Sequence, residues 1–269
     1  MDKEQNISVN IQAIESLIQQ CVMPILIGVG EITVKIQQWA ASVDWAMVGD
    51  VLRYLVDQLP KEVAKLSVSL ANRGWFIWFS EEGISEIAEL LKMSETEQDI
   101  HLINFLESKI TTIKQELLTC YPDRATAIND AFNAHDAKFY SASITALLAL
   151  SEGICKDHFP DIGLYSKHPA DPNKTTKPGM PKTDDLFDGI PPLDIFEAAF
   201  LKPLRISTAL TKNIYKPNAE EHLLFNRHLI MHGASKGYGH QENSLKALGL
   251  AFFVHKSLTY LKEKASAKT

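Results

Sequence analysis

Apolar side chains recur along this chain at spacings of three and four, the period of a helix with one buried face. Ile11, Ile14, Leu17 and Ile18 draw such a stripe over residues 9–20. A helix capped by Ser42 or Asp44 is expected to run to about Leu59 and to stop at Pro60. The next starts at Lys61 and ends on Asn72, Arg73 and Gly74, with glycine as the stop. Two more are expected over 83–91 and 95–118. Between them Trp75, Phe76, Trp78 and Phe79 crowd together. They read as a packing plug rather than a base-stacking platform, because burial is the dominant use of aromatic rings.

The second half keeps the helical period. A short helix, ATAINDAFNAH, leads through Asp136, Ala137 and Lys138 into a longer one, FYSASITALLALSEGICKDHF. In the latter Ala142, Ala146 and Ala149 offer small packing positions, Ile144, Leu147 and Leu148 offer bulk, and Glu152 stands amid apolar residues. Seven of the twelve prolines then fall between Pro160 and Pro192, with Asp184, Asp185 and Asp188. That composition predicts a long irregular insertion or arm. Helices are expected to resume over 193–201, 203–215, 217–231 and 242–264. The sequence has no strand-rich segment, so the fold class is all-α, a helical bundle. Residues 1–100 read as an N-terminal helical extension, and residues 101–269 as a second domain carrying the insertion at 160–192.

Charge is uneven. The chain totals −6. Residues 1–100 hold 7 basic and 15 acidic side chains, whereas residues 202–269 hold 11 basic and 4 acidic. Such asymmetry marks either a polyanion site or lysines solvating outer helix faces. Cys21, Cys120 and Cys155 are too scattered for a disulfide framework or a zinc knuckle. The start, MDKEQNISVN, lacks the pattern of a secretory leader, and the most apolar run, Val22 to Val29, is too short to span a bilayer. A soluble cytoplasmic protein is expected, without a membrane partner and without a cofactor.

Within the basic end lies FNRHLIMHG, Phe225 to Gly233. Arg227 offers a rigid cationic fork for a phosphate. His232 has the side chain best suited to proton transfer near neutrality. Asn226 precedes them, Gly233 closes the helix, and Glu220 and Glu221 fall in the expected first turn. Positions five apart on a straight helix diverge by about 140°. Arg227 and His232 therefore converge only where the helix end unwinds or where two copies face each other. Two bland readings compete: Arg227 paired with an acid such as Glu152, and His232 as a helix cap. A metal reading through His228 and His232 lacks the glutamate that zinc-protease chemistry needs after His228; Leu229 stands there.

NRHLIMHG resembles the signature of the HEPN superfamily, an arginine followed after four to six residues by histidine. The hairpin over 125–159, with Glu152 on its second helix, is similar to the first two helices of that fold. YGHQENSLKALGLAFF, Tyr238 to Phe253, looks like the continuation in abortive-infection relatives. The resemblance covers roughly residues 100–264 and implies a C-terminal HEPN-like domain. It further implies a metal-independent RNase of phage-defence or toxin–antitoxin systems, working as a homodimer on RNA, with an antitoxin or defence protein as partner. Arg227 and His232 would be catalytic, with Asn226, His228 and Glu152 in support. Some members of that superfamily only bind, so a non-catalytic module for nucleotide, RNA or protein is the alternative.

Overall fold

The computed structural model describes residues 44–78, 80–188, 190–214 and 225–266. The expected helix over 9–20, Ser42, Phe79 and the acids Glu220 and Glu221 lie outside them. The chain is all-α: among the described residues one isolated β-bridge, Lys167 to Pro181, stands where a sheet would otherwise appear. It forms two compact units, Met1–Glu62 and Val63–Thr269. The boundary expected at residue 100 falls instead inside an unbroken helix, Glu95–Cys120.

Asp44 starts α1, Trp45–Arg53, by accepting hydrogen bonds from the amides of Ala46 and Met47, both at 3.0 Å. A wide π turn, Tyr54–Gln58, follows, and then α2, Leu59–Asn72. Pro60 does not stop a helix. It stands where the π turn meets α2, at a point where the regular i→i−4 ladder is already interrupted by the Leu59 N–H reaching Tyr54 O. At the other end Gly74 turns left-handed at φ +91. Its N–H reaches Ala71 O at 3.1 Å and the N–H of Trp75 reaches Leu70 O at 2.9 Å, closing the helix. Arg73 then grips Asp99 at 2.6 Å and Gln98, near the start of the helix Glu95–Cys120.

The second unit is built around one buried helix. After α3, Glu81–Leu90, Ser94 and Glu97 form a capping box that starts α4, Glu95–Cys120. The expected hairpin is present as α5, Ala125–Asp136, and α6, Tyr140–His158, joined at Lys138 with φ +63. Ala142 and Ala149 face outward, contrary to the expected small-residue stripe. Ser143 and Ser151 supply the close packing, because a serine hydroxyl can be satisfied inside a helix bundle. Ser151 bonds back to Leu147 O, and Ser143, Ser244 and His135 tie three helices together through hydrogen bonds of 3.0 and 2.8 Å. Ser244 belongs to α9, Gln241–Ser266. Apart from Lys246, its residues over Leu245–Val254 are apolar, and the stretch is buried throughout. It packs on α6 and α4, and at Gly249 a Cβ would meet Leu106 at 3.3 Å.

The aromatic cluster is the expected plug. Trp75, Phe76 and Trp78 are buried. Trp78 meets Phe252 edge-on at 4.7 Å and Phe105 at 5.6 Å; Phe76 meets Phe253 at 5.4 Å.

The 160–192 segment is irregular but anchored. Leu164, Thr183, Asp184 and Leu186 are buried. Lys177 holds Asp184, Asp185 and Asp188 at 2.8–3.0 Å, and Arg205 holds Asp184 at 2.7 Å. Proteolysis is therefore expected first at its exposed tip, residues 169–180, and not within Lys182–Phe187, a single 3-10 segment. Lys177→Met should make the whole segment cleavable. Timed digestion read by mass spectrometry checks this, and first cuts inside α4 or α6 would contradict it.

The helix expected over 203–215 is absent. After α7, Ile195–Phe200, a short 3-10 turn, Lys202–Arg205, gives way to extended chain at Ile206. The carbonyls of Ala209, Leu210 and Lys212, which a helix would use internally, are taken by Asn226 and Arg227.

Candidate functional site

The motif helix is short because both ends are locked. It is α8, Arg227–Met231, not the long helix expected from 217. Asn226 is extended and Phe225 belongs to no helix, and residues 215–224 lie outside the described chain. Asn226 Oδ1 accepts from Leu229 N at 3.0 Å, an N-cap. Its Nδ2 donates to Ala209 O at 2.6 Å and Lys212 O at 2.8 Å, while Arg227 N donates to Leu210 O at 3.0 Å. At the far end Gly233 turns left-handed at φ +70. Its N–H reaches Ile230 O, and the N–H groups of Ala234 and Ser235 reach Leu229 O. Leu229 and Ile230 fix the inner face in the core.

This geometry withdraws Asn226 from any substrate. It is 0% exposed and its amide is fully engaged, so it is a strut under the site. Arg227 lies half-buried with its guanidinium 4.9 Å over the ring of Tyr165. No ion pair to Arg227 occurs among the described residues. The expected Glu152 contact is indirect. Glu152 Oε2 accepts from Tyr165 N at 3.3 Å, and the Tyr165 hydroxyl donates to Leu148 O at 3.1 Å. Burial, then the Glu152 charge, raises the Tyr165 phenol above its ordinary value, while Arg227 opposes the shift. Glu152 thus holds the tyrosine on which the arginine rests. A Cβ at Gly163 would run into the side chains of Ser166 and Glu152, so a larger residue in the turn before Tyr165 would have to displace them.

His232 is the exposed C-cap of α8. Its ring centroid lies 4.4 Å from that of His228. Partial burial first, then the charges of His232 and Arg227, lower the His228 pKa below its ordinary value. Stacking spends a guanidinium's face and leaves its N–H edges for an anion. No hydrogen bond joins Arg227 to His232 among the described residues: the arginine sits on Tyr165 and the histidine beside His228. Nor does any group of three His, Cys, Asp or Glu side chains gather as metal ligands among them.

Comparison with family models, curated proteins and solved structures finds no match. The likeness to HEPN proteins rests on the sequence pattern alone. No described helix is long and apolar enough to cross a membrane.

The basic end is less open than its composition implies. Lys246 is tied to Glu242, Lys256 to Glu116, Lys264 to Glu197 and Arg205 to Asp184. Sequence reasoning missed Tyr165. Its only signal is Leu164-Tyr165, an apolar pair inside a stretch of proline and charge.

Four histidines bear on acid stability. Burial is the first cause lowering the pKa of His135, His158, His228 and His255 below the ordinary 6.5. The folded state therefore binds fewer protons than the unfolded one just below pH 6.5, and stability must fall there as pH drops. Glu116, Asp157, Asp184, Asp185 and Glu197 also have lowered pKa values, so loss continues through the carboxylate range. Urea midpoints should be lower at pH ~5.5 than at pH ~7.5. An unchanged midpoint would show that these histidines ionise alike in both states.

Proposed function

We propose that the chain is a metal-independent endoribonuclease of HEPN type, acting as a cytoplasmic homodimer on RNA under the control of an antitoxin or defence partner. The observation that carries the reading is the Arg227 guanidinium, stacked on Tyr165 with no ion pair among the described residues, one and a half turns from the exposed His232. In the proposed reaction His232 takes the proton of a ribose 2′-hydroxyl. The 2′-oxygen attacks phosphorus, the bond to the 5′-oxygen breaks, and the leaving oxygen takes up a proton. Arg227 holds the phosphate as charge builds on its oxygens. Because the two side chains diverge within one chain, the site is completed across a two-fold axis.

The test is cleavage of cellular RNA by the purified protein in EDTA. Products ending in 2′,3′-cyclic phosphate and 5′-hydroxyl are expected, with DNA untouched. Loss of cleavage on chelation would sink the reading. Light scattering should report a dimer; a monomer that still cleaves RNA would remove the two-fold site. The separation of Arg227 from His232 also fits a non-catalytic module that holds nucleotide, RNA or protein. RNA binding without cleavage would favour it.

A further inference from the structure

Three cationic residues from three separate segments gather around Tyr165. Arg227 lies over its ring from α8. Lys167 follows two residues later on the proline-rich arm. An antiparallel bridge to Pro181 fixes its backbone there: Lys182 N donates to Ser166 O and His168 N to Met180 O, both at 2.9 Å. Lys212 comes from the strap over 206–212. Arm and strap are packed together, because Tyr165, Lys167, Thr208 and Thr211 line one small cavity and the Thr183 hydroxyl donates to Leu204 O. The strap is tied in turn to α8. Arg227 N donates to Leu210 O at 3.0 Å, and Asn226 Nδ2 donates to Lys212 O at 2.8 Å.

None of the three makes an ion pair among the described residues. Lys212 is exposed and Lys167 half-buried. Burial, then the charge of Lys212, lowers the Lys167 pKa, so the two ammonium groups act on each other. The acids of the arm and of α6 are engaged elsewhere: Asp184 and Asp185 by Lys177, and Glu152 by Tyr165 N. Like charges gathered in this way repel one another and favour a polyanion. The amides of the strap are taken. Ala209 N donates to Asn72 Oδ1 at 3.1 Å, Thr208 N to Thr211 Oγ1 at 3.0 Å and Lys212 N to Thr208 O at 3.0 Å. The strap therefore offers side chains rather than N–H groups. That suits phosphates spaced along a strand better than a polyphosphate, which is cradled by backbone amides.

We propose that Lys167 and Lys212 form phosphate subsites beside Arg227 and hold the neighbouring phosphates of a single RNA strand. The inference rests on the ribonuclease reading, which puts the reacting phosphate on Arg227. It adds that the substrate is recognised over more than the one linkage that is cut.

The experiment is an anisotropy titration of the full chain with a labelled single-stranded 2′-O-methyl oligonucleotide, which has no free 2′-hydroxyl and is not cleaved, over a range of salt. Lys167→Ala and Lys212→Ala should each lower the slope of log K against log salt by about 0.7, the share of one phosphate on a single strand. Lys167→Arg and Lys212→Arg should restore it. Lys262→Ala, exposed on α9, should leave it unchanged. On cleavable RNA the two alanine variants should raise KM with kcat held. Cleavage of a dinucleoside monophosphate, with its single phosphate, should be unaffected. Cleavage that persists with the wild-type slope in both alanine variants would overturn the subsites and leave the ribonuclease reading standing. Slope losses without any cleavage would support the subsites and remove the ribonuclease. ATP bound as tightly as the oligonucleotide, and weakened by the same variants, would overturn the strand in favour of a nucleoside polyphosphate.

Discussion

His232→Ala is expected to lower RNA cleavage by about 10²–10⁴, the worth of a positioned general acid or base. The fold should be unaffected, because His232 is exposed at a helix end closed by Gly233. Arg227→Ala should be comparably damaging, and Arg227→Lys only a partial rescue, since a point charge does not reproduce the fork. His228→Ala should be milder, in line with a residue that positions substrate. Tyr165 separates a held arginine from a merely present one. Tyr165→Phe keeps the ring under Arg227 and loses only the bond to Leu148 O. Tyr165→Ala removes the support altogether. If stacking holds the guanidinium, cleavage should survive the first change and fall with the second, at equal urea midpoints. Initial rates on one labelled RNA, wild type beside each variant, decide it. Equal rates for wild type and His232→Ala would move the site to the binding-module reading.

The largest stability effect is expected at Asn226. Its amide caps α8 and carries the 209–212 strap on two carbonyls. Asn226→Ala loses a cap worth about 1 kcal/mol. It also strands polar groups at roughly 1–3 kcal/mol for each that water does not reach. A loss of about 2–3 kcal/mol by urea denaturation is the expected sum. Asn226→Asp sharpens the test. Aspartate is as good an N-cap as asparagine. If the cap alone mattered, Asn226→Asp would be close to neutral. It removes both donors and sets a buried carboxylate against two carbonyls, so it should be at least as damaging as alanine.

The α5–α6 hairpin and the Gly74 and Gly233 stops were legible because each depends on neighbours in sequence; the aromatic plug was legible from its residue types, although its partners Phe105, Phe252 and Phe253 are distant in sequence. Helix α4 was legible too, expected over 95–118 and found at Glu95–Cys120. The inward turn of Ser143 was not, because it depends on what the rest of the bundle presents to that position. The missing helix over 203–215 is the clearest case. Its local pattern is adequate, but Asn226, more than a dozen residues away, captures its carbonyls. For the site, the residue types of Arg227, His228 and His232 were legible and their surroundings were not. Glu152 was marked as an acid out of place, yet its partner proved to be the backbone of Tyr165. A cation–π contact between a proline-rich loop and a helix start leaves no periodic trace.

Helix α9 has a consequence for how the protein is made. It is the last described element in chain order, and its apolar girth fills the space that α4 and α6 enclose. While a ribosome is still adding residues 241–266, those earlier helices have emerged with their greasy faces uncovered. The nascent chain is then at its most vulnerable to sticking to other chains. Commitment to the native state waits for the arrival of Leu245 to Leu258, so a message cut short before that point yields a chain with walls but no keystone.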